Sequence, residues 1–306
     1  MKIIVFHQPF PMGNYKYNTA IGNILSKDNE VYLLEQLNGR TASPDYIEQI
    51  KALDPDVVYF DMLDLETFKI IEELNCKKVL SYNTGGLVGY DKILDYKDKW
   101  YTHVFTNSVI MKDKFKKQGT PVEHYEWFLN CIPKEEMIYD EKYNHDCTFL
   151  GMGFTRVTGD EYSLERNTFF QGFSNIDFKI YGNGWPQLPY CNGVLPENDI
   201  GKLYSSAKCG LAIIATKQRE YGMINNRYSE MGSCGIPIIS YNYDTIDWFG
   251  AEKYINFISD RNETVEMINN VLENRDEYLE KSNKLKEFTI NQNEMFFQKL
   301  YKLMEV

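Results

Sequence analysis

The sequence lacks the features of a secreted, membrane-spanning or zinc-binding chain. Its six cysteines are scattered and form no CxxC pair, which is typical of buried thiols in a reducing compartment rather than of a disulfide framework or a zinc site. No stretch approaches the roughly 20 apolar residues that a membrane span needs, and the run Met1–Phe6 is too short for a signal peptide. We therefore expect a cytoplasmic protein (host cytoplasm if the chain is viral) without stable membrane insertion.

Positive charge is also scarce. The sequence has 33 lysines and arginines against 44 aspartates and glutamates, a net charge of -11. This balance argues against a general nucleic-acid or anionic-membrane surface, where clustered cations supply most of the affinity, although it leaves room for a local basic groove. The richest local candidate, residues 112–117, is expected to be a solvated helix face.

The chain of 306 residues has room for about two domains. In both halves short apolar runs alternate with helical patterns, which predicts right-handed crossovers and a doubly wound parallel sheet in each. We place the division near residue 140, with domains over residues 1–140 and 141–306. Ligands of such folds bind beyond the carboxyl ends of the strands, so the cleft between the domains is the expected site.

The individual elements follow from apolar runs and from capping residues. Predicted strands cover Lys2–His7, Glu30–Leu34, Asp56–Phe60, Lys78–Tyr82, His103–Thr106, Asp146–Leu150, Asp177–Tyr181, Cys209–Ala215 and Ile236–Ser240. Predicted helices cover Tyr17–Leu25, Asp45–Leu53, Leu65–Leu74, Ser163–Phe170, Glu197–Ser205, Asn225–Ser233 and a long polar tail from Thr264 to Met304.

The most informative stretch runs from Asn225 to Pro237 and is typical of a helix that leads into a buried strand. Arg227 would lie in the first turn, beside free backbone N–H groups, where the helix dipole also favours an anion. A sugar diphosphate would meet both. Glu230, one turn on, could accept hydrogen bonds from a ribose diol. An Arg–Glu pair on the surface of an ordinary helix would explain the same residues, and this alternative stays open.

Two further segments run from a strand into glycines. They are Tyr181-Gly182-Asn183-Gly184-Trp185 and Phe149-Leu150-Gly151-Met152-Gly153, and Arg156 and Arg166 follow the second. Glycines at the end of a strand permit a close approach of the backbone to a ligand, although a tight turn gives the same pattern. Their recurrence at several strand ends of one domain favours a ligand site.

Taken in order, these residues resemble the CgeB-like glycosyltransferases, a group within the glycosyltransferases group 1 superfamily with the GT-B fold. The likeness covers residues 146–300 and rests on an Asn-x-Arg-x-x-Glu pattern before Cys-Gly, a Tyr-Gly-x-Gly-Trp turn, a glycine loop before a Leu-Tyr helix, and a Phe-x-Gly strand end near an arginine. The matching residues are Asn225, Arg227, Glu230, Cys234, Gly235, Tyr181, Gly182, Gly184, Trp185, Gly193, Leu203, Tyr204, Phe149, Gly151 and Arg166.

The resemblance implies an α/β protein with two Rossmann-like doubly wound domains that face a cleft, the C-terminal helix packing back toward the N-terminal domain. It implies a hexosyltransferase-like enzyme that moves a sugar from a nucleotide-diphosphate sugar, a UDP-sugar being favoured, to an acceptor hydroxyl. The second domain would bind the donor, with the base on the glycine turn, the ribose on Glu230 and the diphosphate at the helix start. The implied donor-binding residues are Gly151, Gly153, Arg166, Tyr181, Gly182, Asn183, Gly184, Leu195, Lys217 (or Arg219), Asn226, Arg227 and Glu230.

No metal and no cofactor are expected, the nucleotide-sugar being a co-substrate. Fixed cationic side chains and a helix dipole can stabilise the leaving diphosphate without Mg²⁺. In addition, no clustered Asp-x-Asp pattern follows a strand in a suitable context.

The acceptor is expected to enter from the N-terminal domain, near Gly13, Asn83 and Thr84. If the reaction inverts the anomeric centre, His7 or Asp61 is the candidate base, because each follows a strand. A retaining reaction would need no such base, and a loop or capping role for His7 is an equal alternative.

Three other functions are alternatives to this one. A glycosyltransferase that acts on modified bases in DNA, as in some viruses, would need a basic channel for a flipped base, which the acidic charge disfavours. A binding module without catalysis is a second alternative. A Rossmann-type dehydrogenase is disfavoured because no G-x-G-x-x-G follows the first strand. The acceptor (glycan, protein or modified DNA base) and the oligomeric state stay open.

Overall fold

The computed structural model describes residues 1–7, 15–37, 40–61, 64–82, 89–125, 132–151, 153, 170, 173, 175–185, 189–214 and 216–305. The chain divides into two compact units. The first consists of Met1–Tyr125, Tyr221–Ile224 and Glu294–Val306, and the second of Glu126–Glu220 and Asn225–Asn293. Among the helices in the described ranges, none is both long enough and apolar enough to cross a bilayer.

The first unit contains a parallel six-stranded sheet with the strand order β2-β1-β3-β4-β5-β6. Its strands are β1 (Lys2–His7), β2 (Glu30–Glu35), β3 (Val57–Phe60), β4 (Lys77–Tyr82), β5 (His103–Thr106) and β6 (Val122–His124). Its helices are α1 (Tyr15–Leu25), α2 (Pro44–Ala52), α3 (Leu65–Glu73) and α4 (Val109–Lys117). The strand order reverses between β1 and β3, which is where folds of this kind bind ligands.

Apolar runs and helix caps explain why these elements form. All four residues of β3 are fully buried, as expected for a strand covered on both faces. Ser43 accepts a hydrogen bond from the Tyr46 amide and so caps α2. In α4, Met111 and Phe115 are buried while the lysines between and after them point outward to varying degrees. The basic run is therefore a helix face, as predicted.

The second unit contains a parallel five-stranded sheet with the order β11-β10-β9-β7-β8. Its strands are β7 (Cys147–Leu150), β8 (Phe178–Tyr181), β9 (Gly210–Ala212), β10 (Ile238–Tyr241) and β11 (Asn256–Ile258). The helices that follow are α5 (Ile200–Ser206), α6 (Thr216–Glu220), α7 (Arg227–Cys234), α8 (Arg261–Glu273) and α9 (Arg275–Met304). The strand order of this sheet reverses between β7 and β9.

The structure corrects several of the predicted elements. Strands β6 and β11 have three residues each, too few to give a periodic signal, and were not predicted. The predicted tail helix is two helices, because the chain leaves the helical conformation at Asn274. The predicted helix Glu197–Ser205 begins with a 3-10 turn before α5. The predicted helix Ser163–Phe170 lies outside the described residues except for Phe170.

Candidate functional site

Arg227 spans the point where the strand order of the second sheet reverses. Its Nε donates to the carbonyl of Leu150 at 2.5 Å and its Nη1 to the carbonyl of Ile213 at 3.1 Å. Leu150 ends β7, and Ile213 follows β9 directly. The guanidinium also lies 4.4 Å from the ring centroid of Phe149. A positive charge is therefore fixed at the carboxyl edge of the sheet, at its topological switch point.

The burial of Arg227 removes one of the alternatives raised by the sequence. Arg227 and Glu230 are each 8% exposed, so the interpretation as a surface Arg–Glu pair is wrong. Glu230 lies one turn into α7, and its Oε1 accepts a hydrogen bond from Asn226 Nδ2 at 3.3 Å. The Asn225 side chain accepts a hydrogen bond from the Arg227 amide at 3.2 Å. A buried carboxylate and a buried guanidinium thus occupy the first turn of one helix.

Two glycines bring the loop after β7 close to its neighbours. The Gly151 amide donates to the Tyr181 carbonyl at 2.9 Å, and the Gly153 amide to the Asn183 carbonyl at 2.8 Å. A Cβ on Gly151 would lie 2.5 Å from Nη2 of Arg227, and one on Gly153 would lie 2.8 Å from the Gly184 carbonyl oxygen. A side chain at position 153 would therefore clash with backbone, whereas one at position 151 would displace the Arg227 guanidinium.

The turn after β8 is held by its tryptophan and by a second loop. Trp185 Nε1 donates to the Gly151 carbonyl at 2.7 Å, and its half-buried ring packs edge-on against Phe149. Gly182 and Gly184 adopt φ angles of 138° and 78°, where a side chain would be strained. The Gly182 amide donates to the Gly193 carbonyl at 2.7 Å. The ends of β7 and β8 thus form one hydrogen-bonded platform of glycine-containing loops.

Predicted base-binding residues lie on this platform with different exposures. Asn183 is exposed, whereas Leu195 is buried. The Tyr181 ring is also buried, and its hydroxyl is hydrogen-bonded to His145 Nε2 at 3.0 Å and to Asn192 Nδ2 at 3.1 Å. Burial raises the pKa of Tyr181. Tyr181 therefore presents its backbone to the loops while its side chain packs inside the unit.

His145 fixes the orientation of that tyrosine. Its Nδ1 lies 3.0 Å from Asp177 Oδ2, and its Nε2 binds the Tyr181 hydroxyl. The histidine is only 8% exposed. Since both ring nitrogens have protein partners, His145 has a structural set of contacts beneath the glycine platform.

The first sheet has its own switch point, and the two predicted bases lie there. His7 ends β1, and Asp61 follows β3 directly. The register pairs Ile3 with Val57 and Val5 with Tyr59, and continued by two residues it brings His7 level with Asp61. Residues level across parallel strands point to the same face. Asp61 is 2% exposed, and His7 is half-buried.

Several predicted site residues cannot be located. Gly13, Asn83, Thr84 and Arg166 lie outside the described residues, and so does the side chain of Lys217, whose backbone belongs to α6. Within the described part of the chain, no group of three or more His, Cys, Asp or Glu side chains is arranged to hold a metal ion.

Two residues without a predicted role lie near the Arg227 site of the second unit. Tyr204 in α5 is 1% exposed, and its burial, with the Glu230 charge nearby, raises its pKa. Arg261 begins α8 after the unpredicted strand β11. The resemblance included Tyr204 in the Leu-Tyr helix but gave it no role. Arg261 was not predicted as a site residue, because the strand before it was not recognised from the sequence.

Solved structures of GT-B glycosyltransferases share this fold. BGT, the T4 phage β-glucosyltransferase, in complex with UDP-glucose has a TM-score of 0.71, 14% identity and full coverage of both chains. An alpha-glucosyltransferase in complex with UDP has a TM-score of 0.70 and 11% identity, with 99% of each chain covered. Sucrose-phosphate synthase from Thermosynechococcus elongatus has a TM-score of 0.64 and 10% identity, with 99% of this chain and 98% of that chain covered.

The sequence comparison points to the same superfamily. Residues 165–295 match a family described as glycosyl transferase-like, a segment that includes the glycine turn and α7. None of the curated proteins matches the sequence significantly. The family match and the shared fold confirm the predicted relation to the glycosyltransferases group 1 superfamily, the GT-B fold and the enzyme class, glycosyltransferase.

Proposed function

We propose that the chain transfers a hexose from a UDP-sugar, UDP-glucose being favoured, to a hydroxyl group of an acceptor. The observation that carries this proposal is the guanidinium of Arg227, fixed by two backbone carbonyls at the switch point of the second sheet. The glycosyl transferase-like family match covers this residue. Structures with the same fold contain UDP or UDP-glucose, which supports the choice of nucleotide.

Arg227 would bind the diphosphate of the donor. A guanidinium has five N–H groups, and two of them bind carbonyls, which fixes its plane. Nη2, beside Gly151, would then donate to a phosphate oxygen, together with the amides at the start of α7. A cation that is already oriented stabilises the leaving group without reorganising as the sugar–phosphate bond breaks.

Glu230 and the glycine platform would bind the nucleoside. A carboxylate accepts hydrogen bonds from both hydroxyls of a ribose diol, and the Asn226 contact holds one carboxylate oxygen in place. The base would lie against the loops of Gly182 and Gly193, whose backbones pair directly. Arg166 and Lys217 remain proposed donor contacts from the resemblance alone.

On the acceptor side we propose His7 or Asp61 as the base of an inverting transfer. The acceptor oxygen attacks the anomeric carbon, the bond from that carbon to the diphosphate oxygen breaks, and the base takes the hydroxyl proton. Gly13, Asn83 and Thr84 are the proposed acceptor contacts. The transfer is proposed to be independent of metal, although one T4 phage BGT structure contains UDP and Mn²⁺, so this part needs its own test.

A modified base in DNA is the second candidate acceptor. The observation behind it is that two proteins with the same fold are described as a DNA-modifying enzyme and as a complex with UDP and a 13-mer DNA. A glycan or a protein hydroxyl remains the first candidate, because the net charge of -11 disfavours a nucleic-acid surface.

The direct test is a panel of donors. Calorimetry with UDP, UDP-glucose, GDP-mannose and ADP-glucose, followed by slow donor hydrolysis without acceptor, should single out UDP-glucose. Charge reversal by Arg227→Glu should abolish binding, whereas Arg40→Glu should not, because Arg40 is an exposed partner of Glu35 in the other unit. Nucleotide binding that survives Arg227→Glu in a folded protein would refute the assigned diphosphate site.

A further inference from the structure

A separate cavity opens at the carboxyl edge of the second sheet, on the far side of β9 from the glycine platform. Its volume is about 400 Å³, within the roughly 300–1,000 Å³ usual for small-molecule sites. The lining residues follow β9, β10 and β11, and Ile213, whose carbonyl binds Arg227, is one of them. The cavity therefore adjoins the proposed diphosphate site at the end of β9, but most of its lining follows β10 and β11.

Two arginines give this cavity its chemistry. Arg219, in α6, lies with its guanidinium 5.1 Å from the ring centroid of Tyr243, a side chain that is 9% exposed. The Arg219 carbonyl accepts a hydrogen bond from Thr245 Oγ1 at 2.5 Å. The ring packs against the guanidinium, and this bond holds the backbone of the same residue. Arg261, from the start of α8, lines the same cavity and forms no ion pair with any residue that the structure describes.

The carboxylates nearby are engaged by the start of α8. Among the described residues that line the cavity, Asp260 is the one acid, and its Oδ1 accepts the amides of Asn262 at 2.6 Å and Glu263 at 3.1 Å. Glu263 Oε2 in turn accepts the Ser259 amide at 2.5 Å. Both acids thus cap a helix, and the described lining of the cavity has two arginines against one carboxylate.

We propose that this cavity is an anion site for a phosphate group of the acceptor. A guanidinium group can donate two parallel hydrogen bonds to the oxygens of one phosphate, and arginine is the residue that most often recognises phosphate in this way. Asn242 and Ser259 add polar side chains, and the Tyr241 ring adds a surface for the sugar or base that carries the phosphate. A volume well above that of a bare ion fits such a ligand. The assignment of the ligand as an acceptor rests on the proposed function.

Inorganic phosphate, titrated into the full chain in the presence of saturating UDP, tests the site. Wild type should bind phosphate, and Arg261→Gln and Arg219→Gln should each weaken that binding about tenfold, the scale for one charged hydrogen bond. UDP affinity should stay unchanged in Arg261→Gln, because Arg261 has no assigned role in donor binding. Arg40→Gln, an equal loss of charge at an exposed ion pair, should leave both affinities as they are. Absence of phosphate binding, or binding that is insensitive to both cavity variants, would overturn the site.

Two larger probes distinguish the source of the phosphate. Tighter binding of glucose 6-phosphate than of inorganic phosphate would support a phosphomonoester acceptor, and tighter binding of a single-stranded hexanucleotide would support a phosphodiester. If neither binds more tightly than inorganic phosphate, the acceptor assignment is wrong. Arg227→Gln should lose UDP but keep phosphate, so failure of the donor site and failure of the anion site give different results.

Discussion

The two sheets reverse their strand order by the same rule and offer opposite chemistry at the point of reversal. The first presents His7 and Asp61, groups that can take a proton, at the ends of β1 and β3. The second presents Arg227 between the ends of β7 and β9. The same architecture thus presents side chains that can accept a proton in one unit and a fixed positive charge in the other. In the proposed reaction, these are the roles of acceptor activation and leaving-group stabilisation.

The largest effect should come from the first switch point. Asp61→Asn keeps the shape of a buried side chain but removes its charge, and if Asp61 is the base, kcat should fall by about 10²–10⁴-fold while UDP affinity stays unchanged. Steady-state kinetics and calorimetry on the same preparation measure both. A loss confined to His7→Gln would move the role of base to the histidine. Unchanged kcat in both variants would point to a retaining reaction.

At the second switch point, Glu230→Gln should weaken UDP binding by about 1–3 kcal/mol, the scale for hydrogen bonds to a charged group. The control lies in the ligand. UDP and 2′-deoxy-UDP should differ in affinity for wild type, because only UDP carries the full ribose diol. They should differ much less for the variant. Equal discrimination by both proteins would show that the carboxylate does not bind the ribose.

Gly151→Ala tests how the guanidinium is positioned. The new Cβ would lie 2.5 Å from Arg227 Nη2, so the guanidinium must shift, and UDP affinity should fall about tenfold, the loss expected for one hydrogen bond to a charged group. Gly250→Ala is the matched control, since a Cβ there meets open space although φ is 89°. It should cost about 1–2 kcal/mol of stability and leave UDP affinity alone. Thermal melts and calorimetry separate the two effects.

The smallest effect is expected from metal. If Arg227 and the start of α7 stabilise the negative charge of the leaving diphosphate, EDTA should change the transfer rate by no more than about twofold. Added Mn²⁺ or Mg²⁺ should have an equally small effect. Initial rates with UDP-glucose measure this. A rate that requires a divalent ion would mean that the cationic switch point is incomplete without one.

The sequence was sufficient for the parts of this comparison that depend on local patterns. Strand β1 was predicted at Lys2–His7, as observed, because a buried parallel strand is a continuous apolar run. The start of α7 was predicted at Asn225, within two residues of the observed start at Arg227. The alternation of such runs with helices was also enough to predict two doubly wound sheets.

Contacts between distant segments could not be predicted in this way. Arg227 binds the carbonyl of Leu150, 77 positions away, and nothing in either segment specifies that pairing. The glycine turn was expected to hold the nucleobase, and nothing in its sequence indicates that the Trp185 indole nitrogen binds the Gly151 carbonyl. Arg261 was missed because the three-residue strand before it has no periodic signal.

The account depends most on the contact between Arg227 and a diphosphate. The most direct measurement compares the affinities of UDP and uridine, because their ratio isolates the diphosphate from the nucleoside. Wild type should prefer UDP by about a hundredfold or more, the scale of two charged hydrogen bonds, and Arg227→Gln should lose most of that preference while still binding uridine. An equal preference for UDP in both proteins would contradict the account.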